Sequence, residues 1–337
     1  AHGRIRSIDI SAARAMPGVR AAFTALEIGA NRGGQVPVIP MRLDALPQLR
    51  AFEQRVIAHE RVRYVGEPLA IVVAETQSLA EDALEAITVD IESLPVVTDG
   101  GLDANSTTRL FDTADSNCTV KLSAVRGDAA QVFASAPYVR RERFNVHRHA
   151  ASPMETRGVL AHHEADSGQL VVYGASKVPF ANRRILADQL GRATQTIVMV
   201  EGDTGGSFGA RGEFYPEDFL IPFAALHCDR PVKWIEDRRE HLISCNHARE
   251  TEAEMEIACS LDGRILALRG RVATDVGAYM RTNGIAQSRN IIQIASGPYR
   301  ITDIDIRLSV MLTNKTPAGT YRGPGRFETD FFRERLL

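Results

Sequence analysis

Hydrophobic and polar positions alternate most cleanly late in the chain. Ala253, Met255 and Ile257 take turns with Glu252, Glu254 and Glu256, the period of a strand with one covered face. Asp262-Gly263 then supplies a tight turn, so 251–259 and 264–274 are expected to pair as a hairpin. Ile304, Ile306, Leu308 and Val310 mark a further strand. A second hairpin is expected from 159–162 and 169–173, on either side of Asp166-Ser167-Gly168. Pro179 and Gly191 bracket a helix, and 196–200 reads as a strand leading into a glycine-rich stretch. Nearer the start, a turn signal at Gly66–Pro68 precedes an apolar run ending at Glu75. Ser78 and Glu81 have capping-box spacing, so 79–86 reads as a short helix. Ile87, Val89 and Ile91 then alternate with Thr88, Asp90 and Glu92 as a half-buried strand. Residues 99–125 are polar and without period, the expected linker. The sum is an α+β chain of two units, 1–100 and 126–337, joined by 101–125.

Composition narrows the partners. Apolar residues make up 44% and charged residues 24% of 337, a globular balance large enough for a substantial core. A net charge of −2 offers no electrostatic footprint for nucleic acid, and groups such as Arg140-Arg141-Glu142-Arg143 read as solvated surface. Cys118, Cys228, Cys245 and Cys259 show no paired spacing. An iron–sulfur or zinc site within this chain is therefore not expected, nor a disulfide framework, which fits the reducing cytoplasm. The apolar runs are too short for a membrane span. The chain opens AHGRIRSIDI without Met or a signal pattern. It closes on Phe331, Phe332, Arg335 and Leu336, the start of an amphipathic helix, so a piece of a longer protein is expected.

Four stretches could carry chemistry. Gly205-Gly206-Ser207-Phe208-Gly209-Ala210-Arg211 follows a strand, and its small residues let backbone amides approach an anion, or simply form a tight turn. It is neither a dinucleotide fingerprint nor a phosphate loop, since GxGxxG and a closing Gly-Lys-Ser/Thr are absent. Gly319–Arg326 sets Arg322 and Arg326 in a Gly/Pro loop, suited to a carboxylate, phosphate or oxo group, or to pinning the loop's own carbonyls. His147 and His149 share a strand face and could bind metal given a third ligand from elsewhere, or are surface or core histidines that bind none, and Glu155 and Arg157 read as a structural ion pair or buried hydrogen-bonding group. Trp234–His241 reads as a solvated, charged helix start. With no GxSxG and no HExxH, hydrolase readings lack support.

In order, YVGEPLAIVVAE, HRHAASPMETRG, GGSFGARGEFYPED, RPVKWIEDRREHL, NHARE, GAYMRTNG, SGPYR and TYRGPGRFE resemble the xanthine dehydrogenase and aldehyde oxidase family across essentially the whole chain. The resemblance implies an α/β hammerhead domain at 1–100 and the first molybdopterin-binding domain from 126, with a second such domain absent here. It implies a molybdenum–molybdopterin cofactor, in its cytosine dinucleotide form, used to hydroxylate aldehydes, purines or N-heterocycles with oxygen from water. Electrons would leave to an iron–sulfur small subunit carrying [2Fe–2S] clusters and an FAD medium subunit, in a dimer of heterotrimers. It assigns Gly205, Gly206, Phe208, Gly209, Ala210 and Arg211 to the cofactor loop and Lys177 to a contact with a molybdenum oxygen. Arg322 would stabilise charge on substrate, and the base, a glutamate, would lie beyond Leu337.

Departures from the family pattern bear on specificity. Ser207 stands where a glycine is usual, and Lys177 where many members have glutamine. Gly212 separates Arg211 from Glu213, where many members place an acid directly. Gly323 follows Arg322 where copper-containing CO dehydrogenases carry cysteine, so the chain resembles their form II relatives, and glycine offers copper no thiolate. Two other readings remain: a non-catalytic cofactor-binding subunit of a split enzyme, and a structural α+β module.

Overall fold

The computed structural model describes residues 1–30, 32–42 and 46–337. They form two compact units, each assembled from separated stretches of chain. The first contains Ala1–Pro40, Glu53–Val96 and Ser152–Cys245; the second contains Met41–Phe52, Val97–Ala151 and Asn246–Leu337.

In the first unit the strand Gly3–Asp9 lies between Arg61–Val62 and Thr88–Ser93, antiparallel to both. Val19–Phe23 pairs separately with Ile71–Ala74. The expected strand–helix–strand run is present as Ile71–Ala74, Gln77–Glu85 and Thr88–Ser93, but its strands enter different sheets. The helix cap is Thr76, not Ser78. Thr76 has the extended backbone a cap requires and its side chain accepts from the Leu79 amide, whereas Ser78 is already helical. Thr88–Ser93 is an edge strand, and Val89 is 39% exposed, so the alternation there overstated burial.

A four-stranded sheet orders Ile197–Val200, Gln169–Gly174, Gly158–Glu164 and Val232–Ile235. Its central pair is the expected hairpin. The helix Pro179–Leu190 ends on Gly191 at φ 66, the left-handed exit anticipated from Gly191. A second helix, Pro216–Cys228, packs against the strand Gly158–Glu164. One core joins the distant stretches: Phe23, Ile28 and Ile57 pack with Leu170, Ile197 and Phe219. Fully burying each such side chain stabilises by about 1.5–3 kcal/mol.

The second unit is built on a five-stranded sheet in the order Cys118–Arg126, Asp303–Met311, Ile265–Asp275, Thr251–Cys259 and Tyr138–Val146. The hairpin turns at Gly263, φ 83, and Ala253, Met255 and Ile257 are buried as the period required. Glu252, Glu254 and Glu256 meet Arg143, Arg141, Arg271 and Arg269 on the outer face. The strand Cys118–Arg126 begins inside the stretch read as a linker. Its inward positions are only half-buried, so its period is faint, and pairing with the apolar strand Asp303–Met311 decides its conformation. The helix Arg326–Leu336 buries Phe332 and Leu336, with the Phe332 ring stacked on Phe144. No helix among the described residues is long and apolar enough to cross a membrane.

Candidate cofactor-binding site

In the first unit the strand Ile197–Val200 delivers the chain to the glycine-rich loop. Glu155 and Arg211 hold that loop from behind. The Gly205 amide donates to Glu155 Oε2 at 2.6 Å, and the Glu155 amide donates to the Gly205 carbonyl at 3.1 Å. Arg211 is 4% exposed. Its guanidinium donates to the carbonyls of Gly206 (2.9 Å), Glu155 (2.9 Å) and Thr156 (3.1 Å), and pairs with the Glu155 carboxylate at 3.1 Å. Its side chain is thus wholly engaged with backbone and Glu155. Glu155 and Arg157 do not pair with each other: Glu155 serves the loop, whereas Arg157 sits in a buried hydrogen-bonded group with Glu236 and Glu217, the second of the two expected arrangements.

Between these anchors the loop offers donors. Among the described residues, the amides of Gly206, Ser207 and Phe208 donate to no other group of the chain. Phe208 has φ 50, a left-handed conformation that costs a non-glycine residue of order 1 kcal/mol or more, and its ring is 46% exposed. A Cβ at Gly205 would lie 2.6 Å from Glu155 Cβ, and one at Gly206 3.0 Å from Pro153 Cβ, so only glycine admits this path. The Ser207 hydroxyl folds back toward the Gly209 amide at 3.4 Å, and its carbonyl accepts from Ala210. The Ala210 carbonyl accepts from Tyr215 Oη at 2.9 Å. A run of amides with no acceptor in the described chain, on a turn with positive φ, is a donor set suited to electronegative oxygens.

Lys177 joins this loop: its amide donates to the Arg211 carbonyl at 2.9 Å. The preceding Ser176 amide donates to the Glu201 carboxylate at 2.9 Å. The Lys177 side chain is exposed and engages no partner among the described residues. Behind the loop a cavity of about 30 Å³, lined by Ser176, Asn182, Arg211, Tyr215 and Asp218 among others, has room for a water or two. Burial pushes the Asp218 carboxyl up to about 6, although it accepts the Tyr215 amide at 2.8 Å.

The helix expected at 234–241 exists as Arg238–Ser244, started by an Asp237–Glu240 capping box, but the solvated reading fails for two of its residues. Glu236 is 2% and His241 1% exposed. Glu236 takes Arg157 Nη2 at 2.5 Å and His241 Nδ1 at 2.8 Å, and Arg157 lies 3.9 Å from the Tyr215 ring centroid. Burial works against the Glu236 charge, but the His241 bond and the Arg157 charge prevail and bring it down to about 2. Local sequence marks Arg157 and the 234–241 stretch separately but not their meeting, which comes about only when Arg157 reaches Glu236 at the end of the strand Val232–Ile235.

In the second unit Arg322 is exposed, and its guanidinium engages no partner among the described residues. Arg249 holds the loop instead, through the Arg322 carbonyl at 2.5 Å. Gly323 has φ 69, and a Cβ there would meet open space. His147 and His149 are both exposed, and no group of three metal-ligating side chains occurs among the described residues.

Comparison with known proteins agrees with this architecture. Residues 1–95 match the aldehyde oxidase and xanthine dehydrogenase a/b hammerhead domain, and residues 110–337 match the molybdopterin cofactor-binding domain. That pair of domains defines the class of molybdopterin-binding large subunits. The chain is 36% identical over its whole length to the 6-hydroxypseudooxynicotine dehydrogenase complex subunit gamma of Paenarthrobacter nicotinovorans, covering 42% of that protein. It is 31% identical to the carbon monoxide dehydrogenase large chain of Hydrogenophaga pseudoflava, again over its whole length and 43% of the relative. The crystal structure of quinoline 2-oxidoreductase from Pseudomonas putida 86 superposes with a TM-score of 0.90 at 34% identity, over 99% of this chain and 42% of that one. The chain belongs to the xanthine dehydrogenase and aldehyde oxidase family, and spans about two fifths of the length of these relatives.

Proposed function

We propose that this chain is the cofactor-binding part of a molybdenum hydroxylase large subunit that oxidises N-heterocycles, with aldehydes and purines as the alternative substrate classes. The observation that carries the reading is the run of amides at Gly206, Ser207 and Phe208 that donate to no group among the described residues, on a turn where Phe208 stands at φ 50. When bound, the molybdenum–molybdopterin group takes up the electrons of a hydroxylation whose oxygen comes from water. The three amides would hold electronegative oxygens of that group, with Gly205, Gly206, Gly209 and Ala210 keeping the backbone close. Arg211 positions the loop, and the free Lys177 ammonium supplies a cation beside it. The exposed Phe208 ring offers a flat apolar wall to an aromatic substrate and excludes water there. Arg322 stabilises negative charge as it develops on substrate. The general base is a glutamate outside residues 1–337. Nicotine 6-hydroxylase, at 34% identity, and quinoline 2-oxidoreductase support the N-heterocycle class.

The same reading extends to the assembly: a cytosine dinucleotide form of the cofactor, an iron–sulfur small subunit, an FAD medium subunit, a dimer of heterotrimers, and the cytoplasm as the site of work. Gly323 supports a hydroxylase over a copper-dependent CO oxidiser, because it brings no thiolate to the position after Arg322. The test is expression of the full reading frame with its partner subunits, followed by molybdenum and pterin analysis and a panel of pyridines, quinolines, purines, aldehydes and CO. Bound molybdenum and turnover of an N-heterocycle are expected, with R322M lowering kcat by about 10²-fold at unchanged metal content. A matured complex without molybdenum, or a G206V variant that keeps full metal content and activity, would overturn the proposal.

A further inference from the structure

We infer that Arg249 is the positioning residue for Arg322, an inference that rests on the cofactor-site reading above. Arg249 is 7% exposed and sits at φ 73, in the left-handed region where a long side chain is rare. Its amide donates to Gln287 Oε1 at 2.9 Å, which fixes the turn. Its guanidinium lies 4.6 Å from the Tyr321 ring centroid and 4.7 Å from that of Phe327. Nη2 donates to the Arg322 carbonyl at 2.5 Å, and Nη1 to Glu328 Oε1 at 3.2 Å. One buried cation therefore touches the loop on both sides of Gly323-Pro324-Gly325: at Tyr321 and Arg322 before it, and at Phe327 and Glu328 after it.

Other groups hold the rest of the loop: the Gly319 amide donates to the His247 carbonyl at 2.8 Å, and Asn246 Nδ2 to the Thr320 carbonyl at 3.4 Å. Asn290 Nδ2 donates to the Pro324 carbonyl at 2.8 Å, and a Cβ at Gly325 would lie 2.4 Å from the Gln287 carbonyl. The backbone under Arg322 is thus fixed while its guanidinium stays free. A planar fork that stacks between two rings and bonds a carbonyl and a carboxylate at once is a task for arginine, and lysine keeps the charge without the fork. Arg249 acts through Arg322 rather than on substrate or cofactor; it sets where the Arg322 charge stands.

A double-mutant cycle in the full-length enzyme with its partner subunits separates positioning from a merely structural role. R249K is expected to lower kcat/KM by about 10²-fold, the scale of a misplaced charge of about 1 Å. Molybdenum content stays at the wild-type level, and amides 319–326 exchange hydrogen faster. In an R322M background the same change is expected to cost less than about threefold, because the group being positioned is gone. Equal losses in both backgrounds would overturn the inference alone, as would an R249K enzyme with unaltered exchange and kinetics. An R322M enzyme with full molybdenum and wild-type kcat/KM would sink the cofactor-site reading and this inference with it. Should R249K fail to accumulate, Y321L loosens the stack without stranding Glu328 and is read through the same cycle.

Discussion

Replacing Glu236 with glutamine removes one charge from a buried cluster and little else. The side chain is 2% exposed and faces Arg157 and His241, so water cannot take over either interaction. Its carboxyl is held at about 2, against an ordinary value of 4.5. At about 1.4 kcal/mol per pH unit, that difference corresponds to roughly 3 kcal/mol, at the low end of the ~3–5 kcal/mol expected when a buried pair loses one partner. Glu217 still faces Arg157 at 3.0 Å and softens the loss. Trp234 is the only tryptophan and lies 5.3 Å from Arg157, so its fluorescence reports on this unit directly. Urea unfolding of the 337-residue chain at pH 7, followed by that emission, is expected to show E236Q less stable by about 3 kcal/mol. The sign with pH follows from the depressed value: the stabilisation is complete above 4.5 and fades as pH falls toward 2. The gap between the two proteins is therefore expected to narrow at pH 3. A difference under about 1 kcal/mol at pH 7, or one that stays constant down to pH 3, would refute the reasoning.

Asp218 has the opposite sign. Its carboxyl is raised to about 6, so its contribution is complete below 3.8 and lost as pH rises through 6. Acidification from pH 7 to 5 is expected to stabilise the wild type by about 1 kcal/mol relative to D218N in the same urea assay. At Gly277, φ 74, a Cβ would stand 2.3 Å from the Thr316 carbonyl oxygen, so G277A is expected to cost more than about 1 kcal/mol, read as a lowered thermal midpoint. F208G removes a left-handed phenylalanine and is expected to leave stability unchanged or raise it by up to about 1 kcal/mol, while lowering turnover of the full enzyme; a clear loss of stability would show that the ring packs.

Much of the fold was legible where one face of an element is covered and the other is wet. The hairpin through Gly263 and the helix from Pro179 to Gly191 stand where their periods and breakers placed them. The helix Pro216–Cys228 gave no such signal, because Phe219, Leu220, Ile221, Ala224 and Ala225 are all buried and no polar face interrupts them. The strand Cys118–Arg126 was hidden for the reverse reason, its inward residues being only half-covered. The tight turn of the glycine loop could be read, because Gly205 admits a close approach and Gly206 and Gly209 take positive φ. Its anchor Glu155, 50 residues from Gly205, could not be read, and neither could Arg249, which holds the Arg322 loop from 73 residues away. Such contacts are facts of the folded chain, and a single sequence carries no trace of them.

The core shared by Phe23, Ile28, Leu170 and Phe219 has a consequence for how the protein is made. On the ribosome the first hundred residues emerge well before the stretch that covers them. At ~5–20 residues per second the apolar side of Phe23 and Ile28 waits roughly ten seconds or more for Phe219 to appear. During that interval the nascent chain is a client for holding chaperones. A cut placed after residue 100 would release an N-terminal piece that keeps the sticky surface permanently.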